Sequence, residues 1–501
     1  MRIALLPLDD RPVCRTLPAQ VAAVAGARVE VPPAAALPAG RRPGDPGRLA
    51  DWLAASDPDA AVVALETLGL GGLIASRTRD DDVATVLTRW TALRAVRGPV
   101  YAATVVQRTP DADDAGEEPG YWATYGRALH AYSADLHRAL DGDPAAARRP
   151  ATVPAEIRRD FLRRRQRNHV LNQIALGLAV DGVLDTLVVG ADDTAVHAVG
   201  TAEWRWLRTW AGWLEAADRV LAHPGADEIG SVLVARALTA ATGHRPRVAV
   251  ACAEPDGLDR TARYEPVPLA AGLASQAVAT GAILVTGAAS GVPSDEVDAV
   301  LVVHPPQPGP ADWATAPPAD TDPVPAARTG ALVRRLLDAG HTVALADCAL
   351  GNGADPRLVT DLAADGTYSR LAGFAGWNTA GNTVGSALAV LVAHQVGRAT
   401  GRFDPAAHRR LLAHRLLDDH VWMSYARPLL RRELGTDPTR HDHVPADRTA
   451  PVTARVAELL DQRWRALRAV PGIDLAAGSV RLPWNRTYEI DFSLEDTGDQ
   501  P

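Results

Sequence analysis

Two aspartates stand side by side in LVVGADDT, at Asp192 and Asp193. Neighbouring side chains at a strand end point different ways. One of these carboxylates can therefore face a substrate while the other supports it. Mutual repulsion and partial burial raise one pKa and leave an acid beside a base. This is the arrangement that acid–base hydrolysis needs. Sugar hydrolases that use the substrate's own N-acetyl group carry such a pair after the fourth strand, a likeness at the level of fold only. The competing role for the pair is to cap the helix expected near residue 202.

Other residues suited to chemistry follow short apolar runs in the same way. LLPLDDRPVC places Asp9, Asp10 and Arg11 after the first run, where they form either the rim of a site or an ion pair that fixes a turn. Glu66 follows the second run and Arg77 lies close behind it. Gln107 and Arg108 follow the third. HPGADEIG supplies His223, Asp227 and Glu228, which could ligate a divalent metal or open a helix. Glu254, His304 and Asp347 follow three later runs. Asn352 in GNGAD, and Trp377, Asn378 and Asn382 in AGWNTAGNT, suit a polyol. Amides pair with hydroxyls, and an indole face covers a sugar's CH surface. The Gly-rich turns could instead cradle phosphate at a helix start.

Arg77 and Arg108 could clamp a substrate through their planar forks or simply neutralise the acids. His169, on a helix with Asn168 and Asn172, is a conceivable base, although a lone helical histidine is usually structural. HPGADEIG carries no HxH or HExxH spacing that would mark a metal, and no GxSxG or Cys–His pattern in the chain marks a nucleophilic triad.

These residues need a scaffold that gathers strand ends. Apolar, β-branched runs at 3–8, 61–65, 100–106, 186–189, 219–222, 248–251, 299–303 and 342–346 alternate with helical periodicity. Weaker runs lie at 282–285 and 371–375. This alternation predicts an α/β protein with a mostly parallel sheet, whose ligands bind at the carboxyl ends of the strands. Eight strong runs favour a (β/α)₈ barrel-like sheet over residues 1–400, with a helical extension over 401–501. The alternative is two Rossmann-like open sheets. Residues 305–325, rich in proline, read as a surface excursion, and no internal sequence repeat is visible.

Composition narrows the function. The chain has 501 residues and a net charge of −8, with acid and base interspersed, which argues against a nucleic-acid partner. All 52 basic residues are arginine. Without lysine there is no Schiff-base chemistry, no standard P-loop and no standard protein kinase. The three cysteines are too scattered for a zinc or disulfide framework and suit a reducing compartment. No membrane span or signal segment is read, so a cytoplasmic protein is expected.

The motifs LPLDDRP, GLGGLIASR, GADDT, GADEIGSVLVAR, GNGAD, AGWNTAGNTVGSALA and LPWNRTYEIDF resemble, in order and wording, the bacterial family DUF4127. They run from residue 6 to 492, so the resemblance implies one family unit that includes the C-terminal helices. It supplies no chemistry. The residues themselves point to a hydrolase acting on a glycoside or sugar derivative, with Asp192 and Asp193 catalytic. Asp9, Asp10, Arg11, Arg77, Arg108, Asp227, Glu228, Asp347, Asn352, Trp377, Asn378 and Asn382 would bind substrate. No cofactor is required, though a divalent metal is conceivable. The alternatives are a metal-dependent enzyme on a phosphorylated or anionic small molecule, with Asp9, Asp10, His223, Asp227 and Asp347 as ligands, and a non-catalytic sugar-binding protein.

Overall fold

The computed structural model describes residues 1–150, 152–285, 297–309, 311–435 and 443–498. The chain divides into two compact units. The first comprises Met1–Pro18, Arg28–Leu233 and Tyr264–Val267; the second comprises Ala19–Ala27, Val234–Arg263 and Pro268–Pro501.

The first unit is built on a six-stranded sheet. Its strands are β1 (Arg2–Leu6), β2 (Arg28–Glu30), β3 (Ala60–Ala64), β4 (Val100–Val106), β5 (Thr186–Ala191) and β6 (Val220–Pro224). They lie in the order β2-β1-β3-β4-β5-β6, and every pairing is parallel. All residues of β3, β4 and β5 are buried. A parallel sheet covered on both faces needs such unbroken apolar runs, which is why these strands stand out in the sequence. Their core includes Leu6, Val63, Ala102, Leu187 and Val189, with Trp90 and Trp204 from covering helices. The indole of Trp204 donates to the Val189 carbonyl at 3.1 Å and that of Trp90 to Leu65 at 3.1 Å, so both rings are seated by their polar ends.

The second unit contains β7 (Arg247–Cys252), β8 (Ile283–Val285), β9 (Ala299–His304), β10 (Val343–Asp347) and β11 (Gly373–Ala375). Their order is β11-β10-β9-β7-β8, again all parallel. Counted within the unit, the order is second, first, third, fourth, fifth, the same as in the first five strands of the other sheet. A small antiparallel pair, β12 (Ile473–Leu475) and β13 (Leu494–Asp496), completes the strands among the described residues.

The architecture is therefore α/β and parallel, but no closed sheet occurs among the described residues. The single eight-stranded barrel is not what the pairing gives; the strands form two open sheets. The two weak runs are genuine strands, β8 and β11. Strand β2 lacks a sequence signal because it has three residues, RVE, at a half-exposed sheet edge. Residues 305–325 are also not purely a surface excursion. Asp312 and Trp313 are buried there, and Asp312 accepts from the backbone N–H of Ala314 and Thr315 at 2.8 and 2.7 Å.

Beyond residue 400 the chain runs through helices Pro405–Leu416, Arg427–Leu434 and Thr449–Leu467. A π-helical stretch, Leu417–Ala426, separates the first two. Arg415, Arg427 and Arg431 are buried in this Arg-rich region.

The Gly-rich GLGGL segment has a conformational cause. Gly71 and Gly72, at φ 83° and 119°, turn the chain between helices Leu65–Leu70 and Leu73–Thr78. A Cβ on Gly72 would lie 2.7 Å from Pro38. Gly72→Ala is expected to lower stability by about 1–3 kcal/mol, measured by urea denaturation.

Candidate functional site

The carboxyl ends of β1, β4, β5 and β6 gather a buried charge cluster in the first unit. Arg11 chelates Asp9, with Nε at 2.9 Å and Nη2 at 2.8 Å from Oδ2. It also reaches Asp227, with Nη2 2.5 Å from Oδ1. The backbone N–H of Arg11 donates to Asp9 Oδ1 at 3.0 Å, so this pair fixes the first βα turn as well as lying at the strand edge. Asp10 is partly exposed, and its N–H donates to the Pro38 carbonyl at 3.2 Å.

Arg77, 3% exposed, ion-pairs with Asp192, and its Nη1 lies 3.0 Å from Glu118 and 3.3 Å from Glu117. Arg108 holds Glu117 at 2.7 Å, Asp193 at 3.1 Å and Glu118 at 3.3 Å. The two aspartates thus diverge onto different arginines, Asp192 onto Arg77 and Asp193 onto Arg108. They do not cap the next helix. Helix Val199–Trp213 begins after Ala198, which makes no side-chain capping bond.

Gly190 explains how the ends of β5 and β6 come close. A Cβ there would lie 2.7 Å from the Gly225 carbonyl and 2.6 Å from Ile229, whereas the N–H of Gly225 donates to Ala191 at 3.0 Å.

The cluster counts six carboxylates (Asp9, Glu117, Glu118, Asp192, Asp193, Asp227) against three guanidiniums (Arg11, Arg77, Arg108). Burial, with the charge of Asp192 beside it, pushes Asp193 up to about 6, against the opposing pull of Arg108. Burial likewise pushes Asp227 up to about 6, although Arg11 opposes it. Asp193 also holds a left-handed backbone, φ 30°, which is a strained position for a non-glycine residue.

Glu228 and His223 are fully buried, 3.5 Å apart, and His223 Nδ1 lies 2.9 Å from the Pro224 carbonyl. Burial lowers His223 to about 4, so it is neutral at pH 7. Glu66 accepts from Val105 N–H at 2.7 Å and from the Thr104 hydroxyl at 3.0 Å. Burial raises it to about 7. His169 is partly buried, its pKa is lowered by burial, and its Nε2 lies 3.0 Å from the Gln173 amide.

Gln107, Asn168 and Asn172 are buried in the first unit, and the other residues singled out in the sequence belong to the second. Asp347, the last residue of β10, accepts from Ala349 N–H at 3.2 Å and Asp355 N–H at 2.7 Å, and burial pushes it up to about 6. His304, the last residue of β9, sits 3.3 Å from Asp355 and 3.0 Å from the Thr329 hydroxyl. Asn352 and Asn378 both adopt left-handed backbones, φ 64° and 63°. The Tyr488 hydroxyl lies 2.6 Å from Asn352 Oδ1 and 3.1 Å from Asn378 Oδ1, which joins the two turns to the C-terminal motif. Trp377 is buried with its ring tilted against Tyr488. Asn382 donates to the Thr379 hydroxyl at a helix start. Among the described residues, no group of three or more His, Cys, Asp and Glu is arranged to hold a metal ion.

The sequence reading missed Glu117 and Glu118, which sit in an acidic loop that gives no periodic signal. It also missed Asp418, Asp419 and Arg415. Arg415 Nη2 lies 2.6 Å from Asp418 and its Nη1 3.0 Å from Asp419. Asp419 in turn accepts from Gly376 N–H at 2.8 Å.

These features define an α/β protein with two open parallel sheets, one of which carries an arginine-compensated acidic cluster at its carboxyl edge. The sequence matches the family model described as "Protein of unknown function (DUF4127)" over residues 3–493, and the chain belongs to that family. No curated protein and no solved structure matches it. Among the described residues, no helix is long and apolar enough to cross a membrane.

Two substitutions probe the cluster. Arg77→Gln leaves buried carboxylates without their cation and is expected to cost about 3–5 kcal/mol in urea denaturation. Asp193 has the opposite sign. A carboxyl raised to about 6 in the folded state costs stability as pH rises from its unfolded value, near 4, through 6. Asp193→Asn is therefore expected to be more stable than wild type at pH 8 and to lose that advantage by pH 4. Denaturation at both pH values checks it.

Proposed function

We propose that the first unit is an acid–base hydrolase acting on a glycoside or sugar derivative. The observation that carries this reading is the separation of Asp192 and Asp193 onto two different arginines at the carboxyl edge of a parallel sheet. Asp193, raised to about 6 by burial, carries a proton in mildly acidic solution, where an ordinary aspartate is ionised, and donates it to the leaving oxygen. Asp192, held by Arg77, opposes the positive charge that develops at the sugar carbon; water then adds to that carbon and Asp193, ionised by its donation, takes the water's proton. The excess of carboxylate over guanidinium suits a hydroxylated, uncharged substrate and disfavours a nucleic acid. The three free cysteines suit a reducing, cytoplasmic setting.

The test is turnover of chromogenic glycosides, N-acetylated ones included, by wild type, Asp192→Asn and Asp193→Asn, with and without EDTA. EDTA-resistant release is expected, reduced about 10²–10⁴-fold in Asp193→Asn. The wild-type kcat/KM should fall as pH rises through about 6, where Asp193 loses its proton. Release that persists in both variants would overturn the reading. Release abolished by EDTA would redirect it to a metal-dependent enzyme. Melting shifts with sugars but no turnover would point to a binding protein.

A further inference from the structure

One cavity at the carboxyl edge of the second unit has charged lining residues of the opposite sign. The loops after β7, β9 and β10 and the turn after β11 enclose a cavity of about 350 Å³. A pocket of this size takes a small metabolite, and the edge beyond the strand ends is where open parallel sheets bind ligands. Its polar lining includes Arg260, Arg263, Gln307, Asn378 and Thr383. Both charged residues in that lining are arginines, and no carboxylate is among the lining residues described.

Arg260 is already oriented. Its Nη2 donates to Glu254 at 2.7 Å and its Nη1 to the Pro306 carbonyl at 2.9 Å, while Gln307 Nε2 donates to the other oxygen of Glu254 at 3.1 Å. A guanidinium has five N–H donors, so these two bonds leave three for a ligand. Arg263, further along the same loop, is exposed. The lining also includes Ala380, the first residue of the helix Ala380–Ala399, whose amino end carries partial positive charge.

We propose that this cavity binds a phosphorylated small molecule through its phosphate group. Arg260 and Arg263 grip the phosphate, and Gln307, Asn378 and Thr383 meet the hydroxyls of the remainder. A tetrahedral dianion takes donors from several directions at once, which two forks and a helix start supply. The site lies in a different unit from the acid–base cluster and shares no residue with it, so neither reading depends on the other.

The experiment is calorimetric titration of the full chain at low ionic strength with glucose 6-phosphate, glucose, inorganic phosphate and citrate. Glucose 6-phosphate is expected to bind at least tenfold more tightly than glucose. Arg260→Gln and Arg263→Gln should each weaken it at least tenfold, and Asp193→Asn should leave it unchanged. Arg263→Gln is the safer variant for folding, because its side chain is exposed whereas Arg260 anchors Glu254. The ester is expected to bind more tightly than inorganic phosphate, and equal binding of the two would overturn the role given to Gln307, Asn378 and Thr383. Binding of the ester no tighter than glucose, insensitivity to Arg263→Gln, or equal binding of citrate would overturn the assignment.

Discussion

Carboxylates brought to one sheet edge repel one another and resist leaving water, so a cluster of six in one unit needs cations built among them. Arg77 and Arg108 meet that constraint by each contacting three carboxylates, and Arg11 by joining Asp9 to Asp227. The planar fork is what allows one buried cation to serve several partners; an ammonium group offers a single point of charge. The turns around the cluster follow from this demand. The loop bearing Glu117 and Glu118 is tied to Arg77 and Arg108, and the turn after β1 is tied to Asp227 through Arg11. Compensation is incomplete, and the residual repulsion, added to burial, is what leaves Asp193 and Asp227 poised near pH 6.

Much of this was readable from residue patterns, for a physical reason. Strands buried on both faces must be apolar throughout, so β3, β4, β5, β9 and β10 announce themselves. Polar residues just beyond such runs must lie at the carboxyl edge, and Asp9, Arg11, Arg108, Asp192, Asp193 and Asp227 do. What a run cannot carry is its neighbour. The order β2-β1-β3 depends on a three-residue edge strand with no apolar signature, and eight good runs are as compatible with a closed ring as with two open sheets. Loop acids fail for a related reason. Glu117 and Glu118 look like solvated surface charge until the arginines that bury them are placed. Asp418, Asp419 and Arg415 look like the polar face of a surface helix, yet all three are buried.

The two sheets share one winding order without a visible sequence repeat. In each, the first strand lies between the second and third, so the crossover connections leave in opposite directions from it. Ligand crevices form at such a reversal. In the first unit the residues after β1 and β3 are Asp9, Arg11 and Glu66; in the second the loops after β7 and β9 carry Arg260 and Gln307. One architecture thus presents a different set of charged side chains at each unit's edge. The chemistry of each edge is set by its loops, since the strands differ little in character.

The π-helical stretch Leu417–Ala426 has a consequence for how this chain can tolerate a change of length. A π turn spaces its hydrogen bonds over five residues where an α turn uses four, so the segment holds surplus chain that an ordinary helix would not accommodate. Loss of a single residue there would be absorbed as the segment tightens toward α geometry, so the helix Arg427–Leu434 would turn by less than the roughly 100° that the same deletion causes in an α-helix. Asp419 and His420 would then leave their present partners, Gly376 and Ser424. The widened turns are therefore a reserve of chain within the buried wall: a residue removed there is drawn from the reserve, at the cost of the contacts that the widened turns now hold.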